Sequence, residues 1–213
     1  SRSHVLVIDM ETRSVQTEYP LALDPDFQIE PNGAILSPDE RYVLLTIAGQ
    51  SDLYKLDLDV VSIDMEGLDD VPSDIAGDDT TETSVVVYRD ARQVDVIIEH
   101  EFIERETIPL DEAASDVVTT EGVAVLFNTN RDNNRDIIRL DLTTMETVEY
   151  VVDNPIDNLA LTADGQFAVA TLKPSTNWNE GGLSGYQSSR WGLAVADLKS
   201  DNVVSLVLDL LWL

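Results

Sequence analysis

Thr119-Thr120-Glu121-Gly122-Val123-Ala124-Val125-Leu126 is a pair of hydroxyl residues, an acidic-glycine turn and an apolar run. Two other stretches can be written beneath it: Ser37-Pro38-Asp39-Glu40-Arg41-Tyr42-Val43-Leu44 and Thr162-Ala163-Asp164-Gly165-Gln166-Phe167-Ala168-Val169. A fainter copy, Ile75-Ala76-Gly77-Asp78-Asp79, falls between the first two in chain order. In each, a carboxylate sits where the chain must reverse, and its side chain can take hydrogen bonds that hold a tight turn. The acidic anchors Asp39, Asp78, Glu121 and Asp164 are spaced by 39, 43 and 43 residues.

A second motif repeats on the same scale. Val5-Leu6-Val7-Ile8-Asp9-Met10-Glu11-Thr12 matches Ile137-Ile138-Arg139-Leu140-Asp141-Leu142-Thr143-Thr144, and both match Leu193-Ala194-Val195-Ala196-Asp197-Leu198-Lys199-Ser200. Leu53 to Leu58 is a looser copy. A β-rich run ends in Asp, and a hydroxyl residue follows three positions later, so the turn can close on its own side chains. A repeat of about 40–45 residues, with four short strands in each, is the signature of a β-propeller. The expected fold is all-β, with four-stranded antiparallel blades and no long helix. The blade segments read as 4–19, 33–64, 74–109, 116–152 and 157–208 within one propeller region, 1–213. The first segment supplies outer strands only. The expectation is therefore an incomplete part of a larger ring, its remaining blades coming from the same or another chain.

The loop Asn128-Thr129-Asn130-Arg131-Asp132-Asn133-Asn134-Arg135-Asp136, leading into Ile137-Ile138-Arg139-Leu140-Asp141, resembles the WD-repeat-like unit of TolB-type propellers. Asn133 stands where that family prefers glycine, and asparagine tolerates the positive φ such a turn needs. Other blades resemble the YVTN-type surface propellers. The resemblance implies the fold and little about function, since propellers host binding modules, lactonases and peptidase gating domains alike.

Composition narrows the partners. The 213 residues carry 41 acidic and 13 basic side chains, a formal charge of −28. Such a field repels phosphate backbones and anionic lipid, so nucleic acid is excluded as a partner. No apolar run reaches the roughly 18 residues of a membrane helix. The acidic excess reads either as solubility in a salty medium or as attraction for divalent cations or a basic partner. With no cysteine, thiolate metal sites, disulfides and cysteine nucleophiles are absent. The expected address is extracellular, cell-surface or periplasmic, with any targeting peptide lost upstream.

Candidate chemistry is sparse. Gly182-Leu183-Ser184-Gly185-Tyr186 lacks the final glycine of a nucleophile elbow, and only His4 and His100 could serve as a base. Two histidines without metal-ligand spacing give no zinc signature. Asn128, Asn130, Asp132 and Asp136 place oxygen side chains at spacings of two, two and four, a candidate calcium set; the alternative is an Asx-rich hairpin loop. No resident cofactor is expected beyond that calcium, and the chain is read as non-enzymatic.

The insertion from Lys173 to Arg190 is longer than loops usually run. Trp178 and Tyr186, with Asn177, Asn179 and Arg190, have the composition of a contact surface. The alternative is that the aromatics pin the loop to its own blade. The functional expectation is a recognition scaffold that binds a protein, a glycan or a cation through its loop rim. The runners-up are an accessory propeller of a multidomain hydrolase and a lactonase-type metal-dependent enzyme.

Overall fold

Four times along the chain an aspartate closes a hairpin in the same way. In the computed structural model, Asp9 Oδ1 accepts from the backbone N–H groups of Glu11 and Thr12 at 2.8 and 2.9 Å. Asp57 does the same for Asp59 and Val60, and Asp141 for Thr143 and Thr144, all within 3.0 Å. Asp197 accepts from Lys199 N–H at 3.0 Å and from the Ser200 hydroxyl at 2.6 Å. These bonds favour the ionised form, and those from Thr12 and from Ser200 lead in holding Asp9 and Asp197 below the usual carboxylate range. Arg13 and Met145, four residues beyond Asp9 and Asp141, take the left-handed conformation that completes the reversal (φ 54° and 58°).

The structure describes residues 4–21, 30–60, 62–89, 91–98, 104–130, 134–175, 189–200 and 202–207. They form eighteen strands in five antiparallel sheets, with no helix among the described residues. Strands β1 (His4–Asp9) and β2 (Ser14–Pro20) make a two-stranded ribbon. Blade I is β3 (Pro31–Leu36), β4 (Tyr42–Ile47), β5 (Asp52–Asp57) and β6 (Ser62–Gly67). Blade II is β7 (Pro72–Asp78), β8 (Thr83–Tyr88), β9 (Gln93–Ile98) and β10 (Arg105–Pro109). Blade III is β11 (Asp116–Thr120), β12 (Val123–Phe127), β13 (Asp136–Asp141) and β14 (Thr147–Val151). Blade IV is β15 (Ile156–Leu161), β16 (Phe167–Leu172), β17 (Gly192–Asp197) and β18 (Asn202–Val207). Each blade is a meander in which every strand pairs with its chain neighbours, as a β-propeller requires.

The first turns of the blades are less uniform than their sequences suggest. Asp39 and Asp164 are true equivalents: each accepts at 2.6 Å from the hydroxyl two residues before it and at 3.1 Å from the N–H two residues after it. Glu121 and Gly122 instead form a two-residue hairpin turn with both φ values positive, 49° and 78°, which suits the twist of the flanking strands. Asp78 ends β7 ahead of the reversal. Its Oδ1 accepts from Thr81 at 2.9 Å, while Oδ2 reaches Gly122 N–H in the next blade at 3.0 Å.

The chain divides into two compact units, Ser1–Pro72 and Ser73–Leu213. In the first, the ribbon packs on blade I through Tyr19, Leu45 and Leu56, and the Tyr19 hydroxyl donates to the Asp57 carbonyl at 3.0 Å. The second holds two seams between sheets. Val85, Val87, Val94 and Val96 of blade II meet Ala124, Leu126, Ile138 and Leu140 of blade III. Val125, Phe127, Ile137 and Tyr150 on the opposite face of blade III meet Ala168, Ala170, Ala194 and Ala196 of blade IV. Alternate residues of one strand thus serve two seams, and bulky side chains fill the space that alanines leave open.

Hydrogen bonds between blades keep the repeat distance. The Ser73 hydroxyl donates to the Ser115 carbonyl at 2.7 Å, and Val117 N–H to Asp74 Oδ2 at 3.0 Å. The Thr119 hydroxyl reaches the Gly77 carbonyl at 2.5 Å, and Lys173 Nζ the Thr129 carbonyl at 3.0 Å. All four span 42–44 residues.

Candidate functional site

In a propeller the loops joining the second and third strands share one rim with the loops joining successive blades. In the second unit that rim includes 110–115, between β10 and β11, and 128–130 with 134–135, between β12 and β13. Two asparagines lock these loops together. Asn128 and Asn134 both donate through Nδ2 to the Ala113 carbonyl, at 3.0 and 3.3 Å. The other end of each amide takes the backbone N–H two residues on, Asn130 at 3.0 Å and Asp136 at 2.8 Å. Both side chains are buried. Of the candidate calcium set, Asn128 therefore closes the loop and Asn130 is exposed. Asp132 lies outside the described residues, and Asp136 is drawn to a different neighbour.

That neighbour is Glu149. The pairing of β13 with β14 sets Ile138 opposite Glu149 and Asp136 opposite Val151, so the two carboxyls are diagonal on one face of the sheet. Their titrations are linked: Glu149 favours the ionised form of Asp136, and Asp136 disfavours that of Glu149. Burial, then the charge of Glu112, pushes Asp136 above the usual carboxylate range. Glu149 is exposed, and partial desolvation, then the charges of Asp136, Asp111 and Glu112, pushes it up as well. Glu112 in turn faces Arg92 at 3.6 Å. Four carboxyl groups from one loop and two strands thus act on one another electrostatically where blades II and III meet. Glu149 escaped the sequence reading because it lies on a strand, and only the β13–β14 register brings it to Asp136.

The sign of the pH response follows from the two classes of carboxyl. Asp136 and Glu149 have raised folded-state values, so the stability they contribute is full below the unfolded value and is lost as pH rises through the folded one. Turn aspartates such as Asp39, Asp164 and Asp197 are lowered, so theirs is lost as pH falls. Asp136→Asn should raise the melting temperature at pH 7, and that gain should vanish below about pH 3, where both carboxyls are protonated in either state. Melting curves from below pH 3 to pH 8 check it. A gain that does not change with pH would mean that neither carboxyl is raised in the folded state.

Other acidic residues serve the frame. Asp74 accepts from Ile75 and Val117 N–H at 2.9 and 3.0 Å, and its burial raises it. Asp116 accepts from the Ser115 hydroxyl and from both the N–H and the hydroxyl of Thr129. His4 faces Glu18 at 3.5 Å across the ribbon, while His100 and Ser184 lie outside the described residues. Among the described residues no three His, Asp or Glu side chains converge on a point that could hold a metal ion.

Of the long insertion, Asn177, Trp178, Asn179 and Tyr186 lie outside the described residues. Arg190 is half-buried, and its carbonyl accepts from Asn154 Nδ2 at 3.1 Å, which ties the end of the insertion to the loop entering blade IV. Lys173, at the start, is tied to Thr129 on the neighbouring loop. Both ends of the insertion are therefore anchored on the rim that carries Asp136.

No family model matches the chain, and no curated protein does. Two solved structures that resemble it are Kuenenia stuttgartiensis hydrazine synthase and the dihydro-heme d1 dehydrogenase NirN in complex with DHE. The first is 18% identical with a TM-score of 0.71, the second 14% identical with a TM-score of 0.66, each over 97% of this chain. The chain spans 60% of the first structure's chain and 42% of the second's. At these identities the likeness carries the fold, a β-propeller. It also corrects one expectation. The chain was read as non-enzymatic because no catalytic motif stood out, yet both similar structures are named as enzymes. A propeller can draw its functional groups from loops of different blades, where no contiguous motif records them.

Proposed function

We propose that this propeller is a recognition module whose rim takes a cationic group, in the first instance a basic side chain of a protein partner. The observation that carries the reading is the diagonal pair Asp136 and Glu149, whose carboxyls are protonated more readily than ordinary ones under the added charge of Glu112 and, for Glu149, Asp111. Holding like charges together is unfavourable, and a bound ammonium or guanidinium relieves it. The lack of a convergent ligand set among the described residues favours such a group over calcium, which takes six to eight oxygens. Trp178 and Tyr186 add contact area from the neighbouring insertion, and Asn177, Asn179 and Arg190 add directional hydrogen bonds. The loop 128–136 suits a TolB-like blade, since its two asparagines fix the rim on which recognition depends.

The test is a titration with a hexa-arginine peptide and, separately, with calcium chloride. The double variant Asp136→Asn/Glu149→Gln should weaken peptide binding by about tenfold. A control that removes two exposed acids elsewhere, Glu11→Gln/Asp64→Asn, should change it little. Equal losses in the two variants would show that only net charge matters and end the reading. Saturable calcium binding lost in the double variant would make the ion the ligand instead.

A second reading rests on the similar structures. Both are named as enzymes and both are longer than this chain, which favours a propeller that forms part of a larger enzyme.

A further inference from the structure

The seams of the second unit assign a use to a face of blade IV that no other described strand of that unit covers. Blade III turns Val125, Ile137 and Tyr150 toward blade IV, and the three are at most 4% exposed. Strand pairing puts Val169, Leu193 and Leu206 of blade IV at the matching positions. Ile137 pairs with Tyr150 as Leu193 pairs with Leu206, and Arg139 pairs with Val148 as Val195 pairs with Val204. Yet Val204 and Leu206 are 57% and 56% exposed, and Val169 is 36% exposed. The opposite face of the same strands carries Ala168, Ala170, Ala194 and Ala196, all buried against blade III. Blade IV therefore has one finished face and one that repeats the chemistry of a finished face without its cover.

We infer that this face of blade IV is an interface for a further four-stranded blade of the same polypeptide, one that presents small side chains on its middle strands. Continuity with the seam one sheet away carries the inference. There, the bulky side of one blade meets the alanine side of the next. A second copy meeting face to face would set Leu206 and Val195 against bulky residues of their own kind, whereas close packing rewards large against small. A solvated role is disfavoured by size and composition, since Val169, Leu193, Val195, Val204 and Leu206 form one contiguous apolar field over three strands. The inference is independent of the acidic rim.

The test compares hydroxyl-radical labelling of this 213-residue chain with labelling of the polypeptide encoded by its full reading frame. Val204 and Leu206 should be labelled readily in the shorter chain at all concentrations and several-fold more slowly in the longer one. Leu206→Asp should leave the melting temperature of the shorter chain nearly unchanged and lower that of the longer one. If that variant fails to fold, labelling of the wild-type pair still decides. Equal labelling in both, or a reading frame that supplies no further blade, overturns the inference. Protection that grows with concentration in the shorter chain also overturns it, because the cover is then a second copy.

Discussion

Leu140→Ala should destabilise the second unit by about 2–5 kcal/mol, the cost of deleting buried methyl groups and leaving a cavity that neighbours fill only in part. Leu140 is fully buried in the seam of valines, leucines and isoleucine between blades II and III. For a cooperative unit of this size the melting temperature should fall on the order of 10 °C. The seam between blades III and IV answers in the opposite sense to volume. Ala194 is fully buried opposite bulky side chains, so Ala194→Leu should overpack it and cost about 1–3 kcal/mol. Urea unfolding measures both, with the midpoint shifting and the slope preserved. A loss below about 1 kcal/mol for Leu140→Ala would mean that the first seam collapses freely around a missing side chain.

Asp95→Ala should cost a comparable amount, about 3–5 kcal/mol, for a different reason. Asp95 is fully buried on β9, where it accepts from the Tyr88 hydroxyl at 2.5 Å and from the Thr107 hydroxyl at 2.7 Å. The Arg105 guanidinium lies 3.7 Å away. Removing the carboxylate takes an acceptor from two hydroxyls and one counter-charge from a partly buried guanidinium. Tyr88→Phe removes a single donor and should cost about 1–3 kcal/mol. The ordering of the two variants is the informative result. If Asp95→Ala is no worse than Tyr88→Phe, Arg105 contributes nothing to the cluster.

What could be read from the chain beforehand divides along physical lines. The hairpin aspartates Asp9, Asp141 and Asp197 were legible because each binds backbone groups two or three residues away, so the signal is contained in a short window. Asp78 was placed in the right part of the repeat and given too local a role, because one of its oxygens serves Gly122 in the next blade. Glu149 was missed altogether, as was the cluster around Asp95. Both depend on which residues of adjacent strands end up opposite one another, and register belongs to the folded sheet. The expectation of a non-enzyme is corrected by a different route, since both similar structures are named as enzymes.

The repeat spacing of the hydrogen bonds between blades has a kinetic consequence. Within a blade every strand pairs with the strand just before or after it, so each sheet can close without waiting for distant chain. Between blades, the bonds from Ser73, Asp74, Gly77 and Thr129 reach only as far as the next repeat. Loop-closure entropy is then met in small instalments, and the slow search typical of β-sheets built from remote strands is avoided. The second unit should behave as a short one-dimensional array in which a formed blade templates its neighbour and order spreads along the chain. Leu140→Ala acts at a junction between two such steps, so its effect should fall mainly on the unfolding rate if blades form before they dock.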